Sequence, residues 1–180
     1  MPHLLDVMLV IAFAALWPLA EYFWYWPRHV RALAGGDPHA RSRWYSRVAV
    51  EEWVFAGAVM ALAFWFARSP AALGLSLPRG WRLWLGVALP ATYLVLIVLQ
   101  ARTLAASPAT QARLRRSIEP LRPLIPHTPD ELGLFVALSF TAGVCEELLY
   151  RGYLVWVLRS WIGLGGAAAV SMVIFGLAHL

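Results

Sequence analysis

The chain has no lysine. All fifteen basic residues are arginines, against ten acids, for a formal net charge of +5. Charged residues make up 14% of the sequence, where a soluble domain averages about 25%. A single cysteine, Cys145, excludes an internal disulfide and any cysteine-rich metal cluster. The opening residues Met1-Pro2-His3-Leu4-Leu5-Asp6 have no basic n-region, so the N-terminus does not read as a cleaved signal peptide. There is no internal repeat, and no run of alternating ten-residue segments such as a membrane barrel needs. The basic balance does not point to nucleic acid, because the arginines sit between apolar runs. In that setting they mark cytoplasmic loops facing anionic lipid.

What the chain has in excess is apolar surface. Hydrophobic residues make up 61% and the mean hydropathy is +0.63. A fold of 180 residues cannot hide that much inside, since small domains leave much of their surface exposed. Lipid can solvate it. The sequence predicts one all-α membrane domain over residues 1–180, a polytopic transmembrane helix bundle with about four complete spans and a truncated fifth. The apolar stretches cover about residues 4–26, 48–67, 84–101 and 132–158, with a fifth starting near Ile162. A span needs about 20 helical residues, which the first four supply. The connections at 27–47 and 102–131 carry five arginines each and that at 68–82 three. The positive-inside bias then places the first and third in the cytoplasm and the N-terminus outside. Residues 111–125 read as an interfacial loop or brief surface helix. Trp24, Trp26, Trp44, Trp81 and Trp84 read as interface anchors.

Against this background Glu146 and Glu147 stand out inside the fourth stretch. One acid at mid-bilayer costs roughly 2.5–3.5 kcal/mol on insertion scales. On a helix Glu147 and Arg151 are four residues apart and can pair on one face. Glu146, about 100° away, is left free for chemistry. In the fifth stretch His179 has Phe175 one turn before it on the same face. The two stretches are joined by a short connection, from Arg159 to about Gly163, so they pack as antiparallel neighbours. Glu146 and His179 lie at similar distances from that turn. A carboxylate and an imidazole at matched depth can hold and activate one water.

Glu146-Glu147-x-x-x-Arg151, with Gly152 after it, followed by Phe175-x-x-x-His179 on the next span, resembles the CPBP family. These are the CAAX-processing and bacteriocin-processing (Abi) intramembrane proteases. The resemblance covers about residues 128–180. It implies a peptidase in which Glu146 and His179 are catalytic, while Glu147, Arg151 and Phe175 structure the site. It leaves two cofactor states open: a divalent metal such as zinc, held by Glu146 and His179, or no metal. It implies a membrane-embedded or lipid-anchored peptide or protein as substrate, the bilayer as the other partner, and the bacterial inner membrane as location. A third family motif, His-x-x-x-Asn, falls beyond Leu180. On this reading the chain is C-terminally truncated, its site is incomplete, and it is inactive until the missing helix is supplied.

Other readings stand beside this one. The same polar cluster could serve a non-catalytic membrane scaffold or a bacteriocin-immunity protein that binds a partner. A small transporter is disfavoured by the lack of a repeat. Glu51-Glu52 follows the arginine-rich connection directly, and the position four beyond Glu52 is Ala56 rather than an arginine. The pair therefore reads as interfacial, as do Asp6 and Glu21. Cys145 reads as a small packing residue and not as a nucleophile.

Overall fold

The computed structural model describes residues 1–179. It is 83% helical and has no strand among the described residues. The chain is thus the expected all-α polytopic bundle. Four helices are long and apolar enough to cross a membrane. They are α1 (Leu4–Ala34), α2 (Ala40–Trp65), α3 (Trp81–Ala105) and a 49-residue element from Pro129 to Leu177. The short helix α4 (Pro108–Ser117) precedes the last of these. The 49-residue element is more than twice the length of a span and is broken at Gly163, where φ is 70° and ψ is 170°. Glycine adopts such a φ without the Cβ penalty other residues meet. We therefore divide it into α5 (residues 129–162) and α6 (residues 164–177).

Local chemistry explains where these helices begin and widen. Thr128 caps α5 by accepting from the Glu131 N–H at 3.2 Å, and Glu131 accepts in return from the His127 N–H at 2.6 Å. Pro129 occupies the first turn, where its missing N–H costs nothing. Ser107 caps α4 in the same way, with Pro108 after it and Arg115 and Arg116 in the last turn, facing the negative end of the helix dipole. The stretch expected to be a brief surface helix therefore is one, followed by a 3-10 turn at Glu119–Leu121. In α1 two π-helical turns, Ala12–Leu16 and Glu21–Tyr25, each end two residues before a proline, Pro18 and Pro27. A proline ring clashes with the carbonyl four residues back in a regular helix, and the wide turn relieves that contact.

The chain divides into two compact units. Ser76–Ile125, with α3 and α4, is one, and no residue of α3 is buried. The other joins Met1–Leu75 to the stretch from Pro126 onward and contains α1, α2, α5 and α6. Its core brings together Phe13 of α1, Val59 and Ala63 of α2, Leu73, and Leu149, Tyr150, Tyr153, Leu154 and Val157 of α5. Large apolar side chains such as Phe64, Trp65, Phe140, Leu164 and Met172 point outward, as lipid-facing residues do.

Two acids expected at the interface are instead tied into the bundle. Asp6 is fully buried. Arg68 grips it with both terminal nitrogens, Nη1 to Oδ1 at 2.7 Å and Nη2 to Oδ2 at 2.6 Å. The Tyr153 hydroxyl donates to Oδ1 and the His3 N–H to Oδ2, each at 2.6 Å. Glu21 pairs with Arg47 at 2.7 Å, and the Arg47 guanidinium also lies over the rings of Tyr25 and Trp44. Nearness to a span end does not reveal partners that lie 62 and 26 residues away in sequence.

Gly152 shows the closest backbone approach. A Cβ placed there would lie 2.5 Å from the Leu73 carbonyl oxygen, in the short 3-10 turn Pro70–Leu73. The turn after α2 therefore seats directly on α5 because residue 152 has no side chain.

Candidate active site

The site forms where α6 folds back along α5. The Ser171 hydroxyl donates to the Tyr150 carbonyl at 2.7 Å. The rings of Tyr150 and Phe175 meet edge to face with centroids 5.2 Å apart. These contacts set the depth at which the end of α6 meets α5, and they bring Phe175 and His179 to Arg151 and Glu146.

All five residues anticipated from sequence gather here. His179 Nε2 lies 3.4 Å from Glu146 Oε1. Glu147 and Arg151 pair across one turn at 3.6 Å, both largely exposed. The Arg151 guanidinium sits 4.2 Å from the centre of the Phe175 ring, a cation–π contact. The Phe175 and His179 rings follow at 4.4 Å. Phe175 is thus the hub, touching Tyr150, Arg151 and His179 at once. The pairing of Glu147 with Arg151 leaves Glu146 to face the imidazole.

The imidazole is oriented from behind. His179 Nδ1 lies 2.8 Å from the Phe175 carbonyl oxygen. A carbonyl can only accept, so Nδ1 carries the hydrogen. In a neutral ring Nε2 then presents a lone pair toward Glu146. Two acceptors facing each other in this way suit a guest with two hydrogens to donate, and water is such a guest.

One neighbour was not anticipated. Glu52, on α2, lies within electrostatic reach of Glu146, Cys145 and Tyr150. Its Oε2 is buried and has no hydrogen-bond partner among the described residues. The pair Glu51-Glu52 is therefore not simply interfacial. Glu51 is held by Arg47 at 3.0 Å, four residues earlier, and Glu52 is left over. Arg47 was the available signal, since the same spacing that separates Glu147 from Glu146 separates Glu51 from Glu52. Nearby, the Trp53 indole N–H donates to the Thr141 hydroxyl at 3.2 Å and ties α2 to α5 at this level. Cys145 is completely buried beside the site.

The donors can be weighed against a metal. Among the described residues no group of three or more His, Cys, Asp or Glu side chains is placed to hold one. Glu146 and His179 supply two donors, whereas catalytic zinc sites use three protein ligands. The described residues do not fit a metal site.

Taken together, these features define a polytopic membrane protein in which a half-exposed histidine just past α6 meets a glutamate of α5. Residues 128–180 match the family described as Type II CAAX prenyl endopeptidase Rce1-like. Over this stretch the chain is similar to the CAAX-processing proteases, a family of membrane peptidases. No curated protein and no solved structure matches the chain.

Proposed function

We propose that the protein is an intramembrane endopeptidase of the CAAX-processing type, in which Glu146 and His179 hold and activate a single water. The observation that carries this is the 3.4 Å approach of His179 Nε2 to Glu146 Oε1, with Nδ1 anchored by the Phe175 carbonyl. The water donates one hydrogen toward Glu146 and the other toward Nε2. As its oxygen attacks the scissile carbonyl carbon, Glu146 takes the proton. It returns that proton to the amide nitrogen as the C–N bond breaks, leaving a carboxylic acid on one fragment and an amine on the other; the acid's remaining water hydrogen then passes to the amine, giving a carboxylate and an ammonium. Glu147, Arg151 and Phe175 hold the two groups in place and touch no reacting atom.

The substrate proposed is the C-terminal end of a prenylated or otherwise membrane-anchored protein or peptide. The family's description supports this choice, as does the membrane setting of the site. The arginine-rich connections support a bacterial plasma membrane with those connections on the cytoplasmic side.

The test is Glu146→Gln in the whole gene product, reconstituted in proteoliposomes and assayed on a prenylated peptide. General-base catalysis contributes about 10²–10⁴-fold, so turnover should fall by at least about 100-fold while insertion is unchanged. Cleavage retained within about threefold would overturn the proposal. It would favour a scaffold or immunity protein that uses the same cluster to bind a partner.

A further inference from the structure

Two glutamate pairs sit on neighbouring helices, and each is divided in the same manner. On α5, Glu147 is taken by Arg151, four residues on, and Glu146 is left. On α2, Glu51 is taken by Arg47, four residues back, and Glu52 is left. The two left-over carboxyl groups lie within electrostatic reach of each other. Of the two, Glu146 has His179 beside it. Glu52 has a buried oxygen with no partner among the described residues. A buried polar atom without a partner is costly, and replacing such a group with an apolar one of similar shape tends to stabilise a fold. Glu52 is thus hard to explain as a stabilising residue.

The chemistry around it indicates what would complete it. When ionised, Glu52 and Glu146 only accept hydrogen bonds, as does the Nε2 of a neutral His179 whose Nδ1 carries the hydrogen. A guest that fits them has to bring donors, and an extended peptide does so through its backbone N–H groups. We infer that Glu52 is a substrate-binding residue of this site, its half-buried side chain turning so that a carboxyl oxygen accepts a hydrogen bond from a backbone N–H of the peptide next to the scissile bond. This rests on the peptidase reading above. It adds the third helix, α2, to the site and a second carboxylate with a role separate from that of Glu146: one moves the proton, the other holds the peptide in register. The inference also accounts for the tie between Trp53 and Thr141, which fixes α2 against α5 one residue away from Glu52.

The experiment uses the whole gene product in proteoliposomes, with four variants: Glu52→Leu, Glu52→Gln, Glu51→Gln and Glu146→Gln. Two substrates are compared, a prenylated peptide and the same peptide N-methylated at the amide following the scissile bond. Losing a hydrogen bond to a charged group corresponds to about 10–100-fold in kcat/KM. Glu52→Leu should lose that much on the normal peptide while its thermal midpoint stays level or rises. Glu52→Gln, which keeps an acceptor oxygen, should recover part of the loss. Glu51→Gln should stay within about threefold of the unmodified protein. N-methylation should penalise the unmodified protein about 10-fold or more and add no further penalty in Glu52→Leu.

Three outcomes would overturn the inference. One is Glu52→Leu retaining kcat/KM within about threefold. Another is the N-methyl penalty being the same with and without Glu52. The third is Glu52→Leu losing stability and activity together, which would make the residue structural. If Glu146→Gln is inactive in the same series, only this inference falls. If Glu146→Gln is active too, the peptidase reading falls with it.

Discussion

Replacing Arg68 with methionine would remove both guanidinium contacts from Asp6 while keeping most of the side chain's volume. Asp6 would stay fully buried and retain two of its four hydrogen bonds, those from Tyr153 and the His3 N–H. Breaking a buried ion pair from one side typically costs about 3–5 kcal/mol, because the remaining charge is left uncompensated. Since two donors persist, the loss should fall near the lower end, about 3 kcal/mol. That is a large fraction of the roughly 5–15 kcal/mol by which folded proteins are stable. The double variant Asp6→Leu/Arg68→Met removes both charges. It should recover most of the loss, short of about 1 kcal/mol for the Tyr153 hydroxyl that no longer has an acceptor. The assay is reversible unfolding in mixed detergent micelles, followed by the fluorescence of the ten tryptophans. A cost below about 1 kcal/mol for Arg68→Met would refute this reasoning. So would a double variant no more stable than the single one.

Two further predictions concern the helix that carries the site. Gly152→Ala would put a Cβ 2.5 Å from the Leu73 carbonyl oxygen, a backbone atom that cannot rotate away. It should destabilise by about 1–3 kcal/mol despite a gain of about 1 kcal/mol in helix propensity. Gly86→Ala in α3, with open space around it, should be neutral or stabilising in the same unfolding assay. Cys145→Ala should keep kcat within about threefold, and thiol-blocking reagents should leave cleavage unaffected, because Cys145 is completely buried. Inhibition abolished by Cys145→Ala would show that the thiol takes part.

Much of the site could be read from the sequence because its members lie close together along the chain. The lock between Glu147 and Arg151 follows from helical spacing alone. The depth match between Glu146 and His179 follows from counting residues to a turn, which the structure places at Gly163. The anchoring of His179 by the Phe175 carbonyl could not be read, since it depends on a rotamer. Glu52 is half legible: Arg47 stands four residues before Glu51, so helical spacing alone gives Glu51 a partner and leaves Glu52 over. Which neighbour Glu52 then faces depends on how α2 is rotated against α5, and one helix does not encode its angle to another. Asp6 was the least legible. Its partners Arg68 and Tyr153 come from two other parts of the chain, and a position near a span end says nothing about what covers it.

The wide π-helical turn Glu147–Leu154 has a consequence for how α5 serves its neighbours. In a regular helix, residues seven apart drift by only about 20°, so Glu146 and Tyr153 would aim almost the same way. The wider winding between them adds a twist along the shaft. Glu146 is directed to His179, while Tyr153 is directed to Asp6 on α1. The helix thus resembles a key cut on two sides: one cut meets His179, the other engages the N-terminal helix. The angle between the cuts is set by how many residues the wide turn contains, so a single insertion or deletion there would misalign the two without changing any residue of either.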